Sequence, residues 1–380
     1  MNLLTTLKGS DRCFSAVQQL MSLADVALNG SHPWDIQVKH PNFYRRILQQ
    51  GVMGFGESYM EGWWDCERLD QLFTLLVRAR LDTKVSHHLS ILIHILWGQL
   101  TNLQSRKRAT MVGKKHYDLG NDLFTLMLDP YMQYSCGYWK TASTLEQAQE
   151  DKLDLICRKL CLKPGMSLLD IGCGWGGLAE YAAQHYQVSV VGITISKEQQ
   201  TLALKCCQRL DVDIRLQDYR DLNQQFDRIV SVGMFEHVGP KNYRTFFKCA
   251  RRSLKTEGLF LLHTIGSLTS TRSLNPWIEK YIFPNGCLPS MVQITKQTEG
   301  LWVMEDWHNF GADYDLTLTE WERRLSARWT QVEQNYSPMF YRMLRYYLLS
   351  CAGRFRARDL QLWQILFSPE GVKGGTRVAR

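Results

Sequence analysis

The stretch Ser167-Leu168-Leu169-Asp170-Ile171-Gly172-Cys173-Gly174-Trp175-Gly176-Gly177 decides the fold of this 380-residue chain. A short apolar run ends at Asp170, a glycine cluster follows, and residues 178–186 have the look of a helix. The order is therefore strand, tight turn, helix. Glycines let the backbone turn with positive φ and approach a ligand closely. The unpaired N–H groups at the start of the helix favour a polar or anionic ligand group.

Gly172, Gly174 and Gly177 satisfy the pattern G-x-G-x-x-G. That pattern alone does not separate a dinucleotide site from other nucleotide sites or from a structural turn. Two features turn the reading away from NAD. Asp170 stands two residues before the first glycine, where a carboxylate can hold a cationic amine. The next apolar run, 188–193, ends at Thr194, whereas a dinucleotide site usually carries Asp or Glu near that point for the ribose. S-adenosylmethionine, whose methionine end carries an ammonium, is the preferred ligand. NAD and a purely structural glycine turn stay open at this point.

Outward from this turn, strands and helices alternate. Helical spacing covers 144–160, with Thr144 as a cap and Gln147 three residues later, as in a capping box. Further strands are expected at 212–216, 226–232 and 258–263, with helices from 196 to 210 and from 242 to 254. Such alternation implies an α/β, doubly wound, Rossmann-like parallel sheet, whose ligands sit at the C-terminal strand ends. Asp170, Thr194, Asp218, Glu236 and His263 fall at those ends. An aromatic, proline-rich insert follows at 278–291. Then come a strand over 301–310, helices over 315–334 and 338–355, and a strand over 360–367. Two strands after the fifth suit a seven-stranded sheet closed by an antiparallel hairpin, as in S-adenosylmethionine-dependent methyltransferases.

The N-terminal third reads as a smaller, mainly helical domain. Helical spacing appears at 14–28, at 44–50 up to Gly51, at 69–80 and at 85–103. The last of these is apolar enough to be buried, to form a subunit interface or to lie against lipid. Residues 54–65 interleave aromatics, glycines and acids, which suits either an aromatic core with turns or a docking surface. Basic runs at 106–108 and 114–116 bracket a connection that is either a solvated linker or a contact for anionic headgroups. The expected boundary is about residue 105, giving domains 1–105 and 106–380.

Hydrophobic content of 45% and charged content of 22% belong to a globular chain with a large core. The net charge of +8 points to acidic surfaces as partners, and no nucleic-acid-binding motif accompanies it. The 11 cysteines include no C-x-x-C pair, so neither a metal site nor a disulfide framework is expected. Reduced thiols, the absence of a secretory pattern and the absence of a spanning-length apolar run suggest a cytoplasmic protein.

At His116-Tyr117-Asp118, Tyr134-Ser135-Cys136, the glycine turn, Gly192-Ile193-Thr194-Ile195-Ser196, Met234-Phe235-Glu236-His237-Val238-Gly239 and Leu360-Gln361-Leu362-Trp363-Gln364, the chain resembles the cyclopropane-fatty-acyl-phospholipid synthases. The resemblance covers 106–380 strongly, and the N-terminal part resembles the extra domain of the bacterial phospholipid-acting members. It implies transfer of a methylene group from S-adenosylmethionine to a cis double bond in an acyl chain of a membrane phospholipid. It further implies bicarbonate in the active site, a homodimer, and peripheral association with the inner membrane face.

For the site, the resemblance implies that Glu236, His263 and Tyr314 hold bicarbonate, with the backbone at Cys136 and Ile265 completing the pocket. Two of these also have a plainer reading: Glu236 as a helix-start residue, His263 as a satisfied strand-end histidine. Cys351 lies in an apolar helical run and is a weak catalytic candidate beside a structural reading, since most buried cysteines are inert. For the donor, Asp170 is expected to anchor the ammonium end indirectly or through water, beside Gly172 and Gly174. Thr194 and Gln199 contact the ribose and carboxylate region, Asp218 and Tyr219 flank the adenine, and Tyr134 and Ser135 close over the methionine part. The rings of Tyr134, Tyr138, Trp139, Phe235, Tyr281 and Tyr314 suit a dry cavity that stabilises a carbocation, or ordinary core packing. Two rivals remain: another lipid or small-molecule methyltransferase, and a non-enzymatic membrane-binding dimer with a decayed site.

Overall fold

The computed structural model describes residues 9–80, 121–376 and 378–380. The helix expected over 85–103, the basic runs, the motif at 116–118 and the boundary near 105 lie outside the described residues.

Seven strands form one sheet: β1 (Ser167–Ile171), β2 (Ser189–Thr194), β3 (Val212–Leu216), β4 (Phe226–Val232), β5 (Leu254–Ser267), β6 (Val303–Asn309) and β7 (Leu360–Ser368). Their order is β3-β2-β1-β4-β5-β7-β6. The first five strands are parallel, and β7 runs antiparallel to both β5 and β6. Successive residues of one strand feed opposite apolar layers. Leu169, Ile229 and Phe260 pack into one, and Leu168, Val230 and Leu261 into the other. A sheet covered on both faces explains why these strands read as continuous apolar runs rather than alternating ones. The strand order reverses between β1 and β4, which opens the crevice in which ligands bind.

The helix Leu145–Lys159 starts where the sequence places it. Thr144 Oγ1 accepts the Gln147 N–H at 3.3 Å. The return half of the expected capping box goes to Ser143, whose N–H donates to Gln147 Oε1 at 3.5 Å. The strand expected at 258–263 extends over Leu254–Ser267, and the helix expected at 315–334 is Ala312–Arg328 followed by two short 3-10 turns.

Contacts divide the chain into two compact units, and the division is discontinuous. Among the described residues, the first unit joins the N-terminal part to Asn275–Pro284 and Leu318–Asp359; the second holds the sheet with Asn285–Thr317 and Leu360–Arg380. A single cut near 105 does not describe it, because the segments that return are far off in sequence and join the first unit only through tertiary packing.

The first unit is built from helices and one two-residue ribbon, Gln37–Val38 with Trp64–Asp65. The helix expected to stop at Gly51 kinks there instead, at φ 53° and ψ −133°, and resumes to Met60. The aromatic stretch that follows is core: Phe55, Tyr59 and Trp64 are buried, and Trp64 Nε1 donates to Phe55 O at 3.1 Å. Gly353 in the helix Pro338–Arg356 allows close approach to the helix Leu69–Arg78, since a Cβ there would stand 2.5 Å from the carbonyl oxygen of Asp70. No helix among the described residues is long and apolar enough to cross a membrane.

Candidate active site

The cavity of the second unit opens at the C-terminal ends of β1, β2 and β4, where the strand order reverses. Eight residues expected from the sequence at the donor line it: Tyr134, Ser135, Gly172, Gly174, Thr194, Gln199, Asp218 and Tyr219. Gly172 and Gly174 adopt φ of 86° and 55°, which the turn requires and an L side chain resists. Gly177 is needed for a different reason. A Cβ on it would lie 1.9 Å from the carbonyl oxygen of Tyr131, in the loop whose next residues, Met132 to Ser135, line the cavity.

Thr194 Oγ1 lies 2.8 Å from Gln199 Oε1 and accepts the Ser196 N–H at 3.2 Å. The pairing spends the Gln199 acceptor and leaves its amide donors for a ligand. Asp218 is gripped by Arg220 through two bonds of 2.8 and 2.6 Å. Its carboxylate is thereby fixed at the cavity wall, and Arg220 joins the lining.

Asp170 stands apart from the other eight. It is 2% exposed, lies beneath the turn, and its Oδ1 has no hydrogen-bond partner among the described residues. Burial raises its carboxyl to about 7, against the opposing pull of the Lys152 charge. Lys152, which the sequence did not single out, is fully buried on the helix Leu145–Lys159. Its Nζ donates to Gln133 Oε1 and, at 3.0 Å, to Ser135 Oγ.

Next to this cavity lies a second polar group. Glu236 occupies the short 3-10 turn after β4, whose neighbours Met234 and His237 line the cavity. Its Oε1 accepts the Ile265 N–H at 2.7 Å, so Glu236 itself takes up that backbone donor. Its Oε2 is buried without a partner among the described residues. Burial raises this carboxyl to about 7, and the Ile265 N–H only partly offsets that.

His263 on β5 sits in register with Val232 of β4 and Gln364 of β7. Its Nδ1 faces the Gln364 amide nitrogen at 3.3 Å, which places the ring proton on Nε2. Nε2 has no partner among the described residues. Burial, with the charges of Lys152 and Lys159, lowers the pKa of the ring well below the usual range, so the imidazole is neutral. Its face packs edge-on against Phe310, with centroids 5.8 Å apart.

Tyr314 is buried in the first turn of the helix after Phe310. Cys136 connects to that helix through Thr317, whose Oγ1 accepts from the Gly137 N–H at 3.1 Å and from Trp139 Nε1 at 2.9 Å. The Cys136 thiol is pushed well up by burial. Cys351 lies in the first unit, on the helix Pro338–Arg356, and burial raises its thiol to about 11. Neither cysteine carries a thiolate near neutral pH.

Two of the expected cavity rings have other duties. Phe235 is core, stacked on Tyr243 at 4.3 Å, and Tyr281 in the first unit donates to Glu57 at 2.9 Å. Among the described residues no group of three or more His, Cys, Asp or Glu could hold a metal ion.

A glycine turn at the switch point of a sheet in this order, with a largely apolar cavity edged by polar side chains at its mouth, matches the S-adenosylmethionine-dependent methyltransferases. Comparison with known proteins narrows the class. A family model described as mycolic acid cyclopropane synthetase matches residues 104–365, and the chain belongs to that family. It is 61% identical over 370 residues to the cyclopropane-fatty-acyl-phospholipid synthase of Escherichia coli, covering 97% of each chain. Among solved structures it is similar to the cyclopropane synthase MmaA2 from Mycobacterium tuberculosis, with TM-score 0.65, 33% identity, and coverage of 70% of this chain and 99% of that one. It is also similar to the mycolic acid cyclopropane synthase CmaA1 complexed with SAH and CTAB, with TM-score 0.64, 34% identity, and coverage of 68% and 97%.

Proposed function

We propose that this enzyme is a cyclopropane-fatty-acyl-phospholipid synthase, which moves a methylene group from S-adenosylmethionine to the cis double bond of an unsaturated acyl chain in a membrane phospholipid. The observation that carries the reading is a donor cavity beside two buried proton-exchanging groups, the Glu236 carboxyl, raised to about 7, and the neutral His263 imidazole. An alkene has no proton to give up before attack, so the chain's first task is to press the methyl group and the double bond together. Its second is to keep water from the carbocation that follows, and its third is to take a proton from the added methyl group.

Bicarbonate, when bound, supplies the base for that last step. The residues fit such an anion: His263 offers an Nε2–H with no partner among the described residues, and Glu236 Oε2 is likewise unpartnered. With its carboxyl raised to about 7, Glu236 is protonated often enough near neutral pH to donate to an anion. Tyr314 and the backbone at Cys136 complete the set we assign to it.

We assign lipid binding and dimerisation to the first unit, and we place the enzyme in the cytoplasm, peripheral at the inner membrane face. A net charge of +8 supports attraction to anionic headgroups. The test is incubation with methyl-labelled S-adenosylmethionine and vesicles of unsaturated, anionic phospholipid, followed by flotation. The expected result is protein floating with the vesicles, label in the acyl chains and loss of the alkene. Label in the headgroups contradicts the reading.

A further inference from the structure

We propose that Lys152 is a positioning residue for the methyl donor: from beneath the cavity it fixes the Ser135 hydroxyl as a hydrogen-bond donor aimed at the carboxylate of S-adenosylmethionine. The inference rests on the cofactor reading above and adds how the amino-acid end is recognised.

Lys152 is wholly buried, and its ammonium can only donate. At the 3.0 Å contact, Ser135 Oγ must therefore be the acceptor. The one hydrogen of the hydroxyl is left over, and Lys152 is its only hydrogen-bond partner among the described residues. Ser135 lines the donor cavity, so that hydrogen is available to a ligand acceptor. Of the groups on S-adenosylmethionine, the carboxylate is the one that is anionic and so makes the strongest acceptor.

The backbone that carries the hydroxyl is held as well. Gln149, three residues before Lys152 and on the same helix face, donates from Nε2 to the Ser135 carbonyl oxygen at 2.8 Å. The same ammonium sets the loop leading into the cavity. Gln133 Oε1 accepts from Lys152, which turns the amide so that Nε2 donates to Tyr131 O at 3.1 Å. Asp129 closes that loop by accepting the N–H groups of Tyr131 at 2.9 Å and Gln133 at 2.8 Å. Burial lowers the ammonium to about 8, and the carboxylates of Asp129 and Asp170 hold it from falling further, so it stays mostly charged at neutral pH.

The test compares two ligands by calorimetry. S-adenosylhomocysteine carries the amino-acid end, and 5′-methylthioadenosine lacks it. Lys152→Met should weaken S-adenosylhomocysteine binding by about tenfold or more, the scale of one charge-assisted hydrogen bond. It should leave 5′-methylthioadenosine binding within about twofold. Unchanged S-adenosylhomocysteine affinity, or an equal loss for both ligands, overturns the inference. Should Lys152→Met fail to fold, Ser135 decides: Ser135→Ala should reproduce the selective loss and Ser135→Thr, which keeps the hydroxyl, should restore affinity. An Ala variant that binds S-adenosylhomocysteine normally overturns the inference. Wild-type protein that binds neither ligand instead overturns the cofactor reading on which it stands.

Discussion

Two buried polar clusters lie in the sheet-bearing unit, and they are completed to different degrees. Around Lys152 the ammonium itself is met by Gln133 and Ser135, with Asp129 and Asp170 close enough to stabilise it, and the atom left unpartnered there is Asp170 Oδ1, beneath the turn. Around Glu236 and His263, beside the bonds to Ile265 and Gln364, each side chain keeps one buried atom unpartnered among the described residues. A buried polar atom without a partner costs about 1–3 kcal/mol. The first cluster is a support that shapes the donor cavity. The second holds binding capacity in reserve, which is what a site for a reacting group and its base requires.

The largest expected effect comes from removing that reserve. Glu236→Gln keeps the shape and an acceptor for the Ile265 N–H but can no longer exchange a proton. Turnover should fall by about a hundredfold or more, the usual scale of losing a proton-handling group, while S-adenosylhomocysteine affinity stays the same. A fully active variant would break the contrast between the two clusters.

The same substitution should change stability in the opposite direction. Glu236 titrates near 7 in the folded chain against an ordinary value of 4.5. As pH rises between those values the unfolded chain gives up its proton first, so folding stability is lost with rising pH. Glutamine does not titrate. Thermal unfolding in carbonate-free buffer should therefore find Glu236→Gln gaining on wild type from pH 5 to pH 8, by on the order of 3 kcal/mol. A difference independent of pH would mean that the carboxyl is not held in a desolvated site.

On the donor side, Gly177→Ala sets two effects against each other. Alanine gains about 1 kcal/mol in a helix. Its Cβ, however, would stand 1.9 Å from the Tyr131 carbonyl oxygen, which the Gln133 amide already holds. Overpacking of this kind costs about 2 kcal/mol, so the melting temperature should fall and donor binding should weaken. The smallest effect is expected at Cys351. With its thiol at about 11 and its place in the first unit, Cys351→Ala should leave turnover within about twofold, since no thiolate is there to lose.

The contrast also explains what the chain made legible. The strand–turn–helix alternation and the donor turn could be read because glycines at 172, 174 and 177 and apolar runs on either side are local signals. Lys152 could not. It sits in Glu146-Gln147-Ala148-Gln149-Glu150-Asp151-Lys152, which reads as a solvated helix face until the loop at 129–138 covers it. Thr317 was equally silent, because the Gly137 N–H it accepts lies 180 residues away. Gly51 misled in the other direction: a glycine that ends most helices only bends this one. The cut near 105 missed the returning segments for the same reason, since nothing local in 275–284 or 318–359 says which unit they join.

The most direct test of the central chemistry uses S-adenosylmethionine with a fully deuterated methyl group and vesicles of unsaturated phospholipid. Mass spectrometry of the released acyl chains should find two of the three deuterium atoms retained and the alkene gone, because one is surrendered to the base as the ring closes. Product chains that keep all three would mean plain methylation, and would contradict the role assigned to Glu236 and His263.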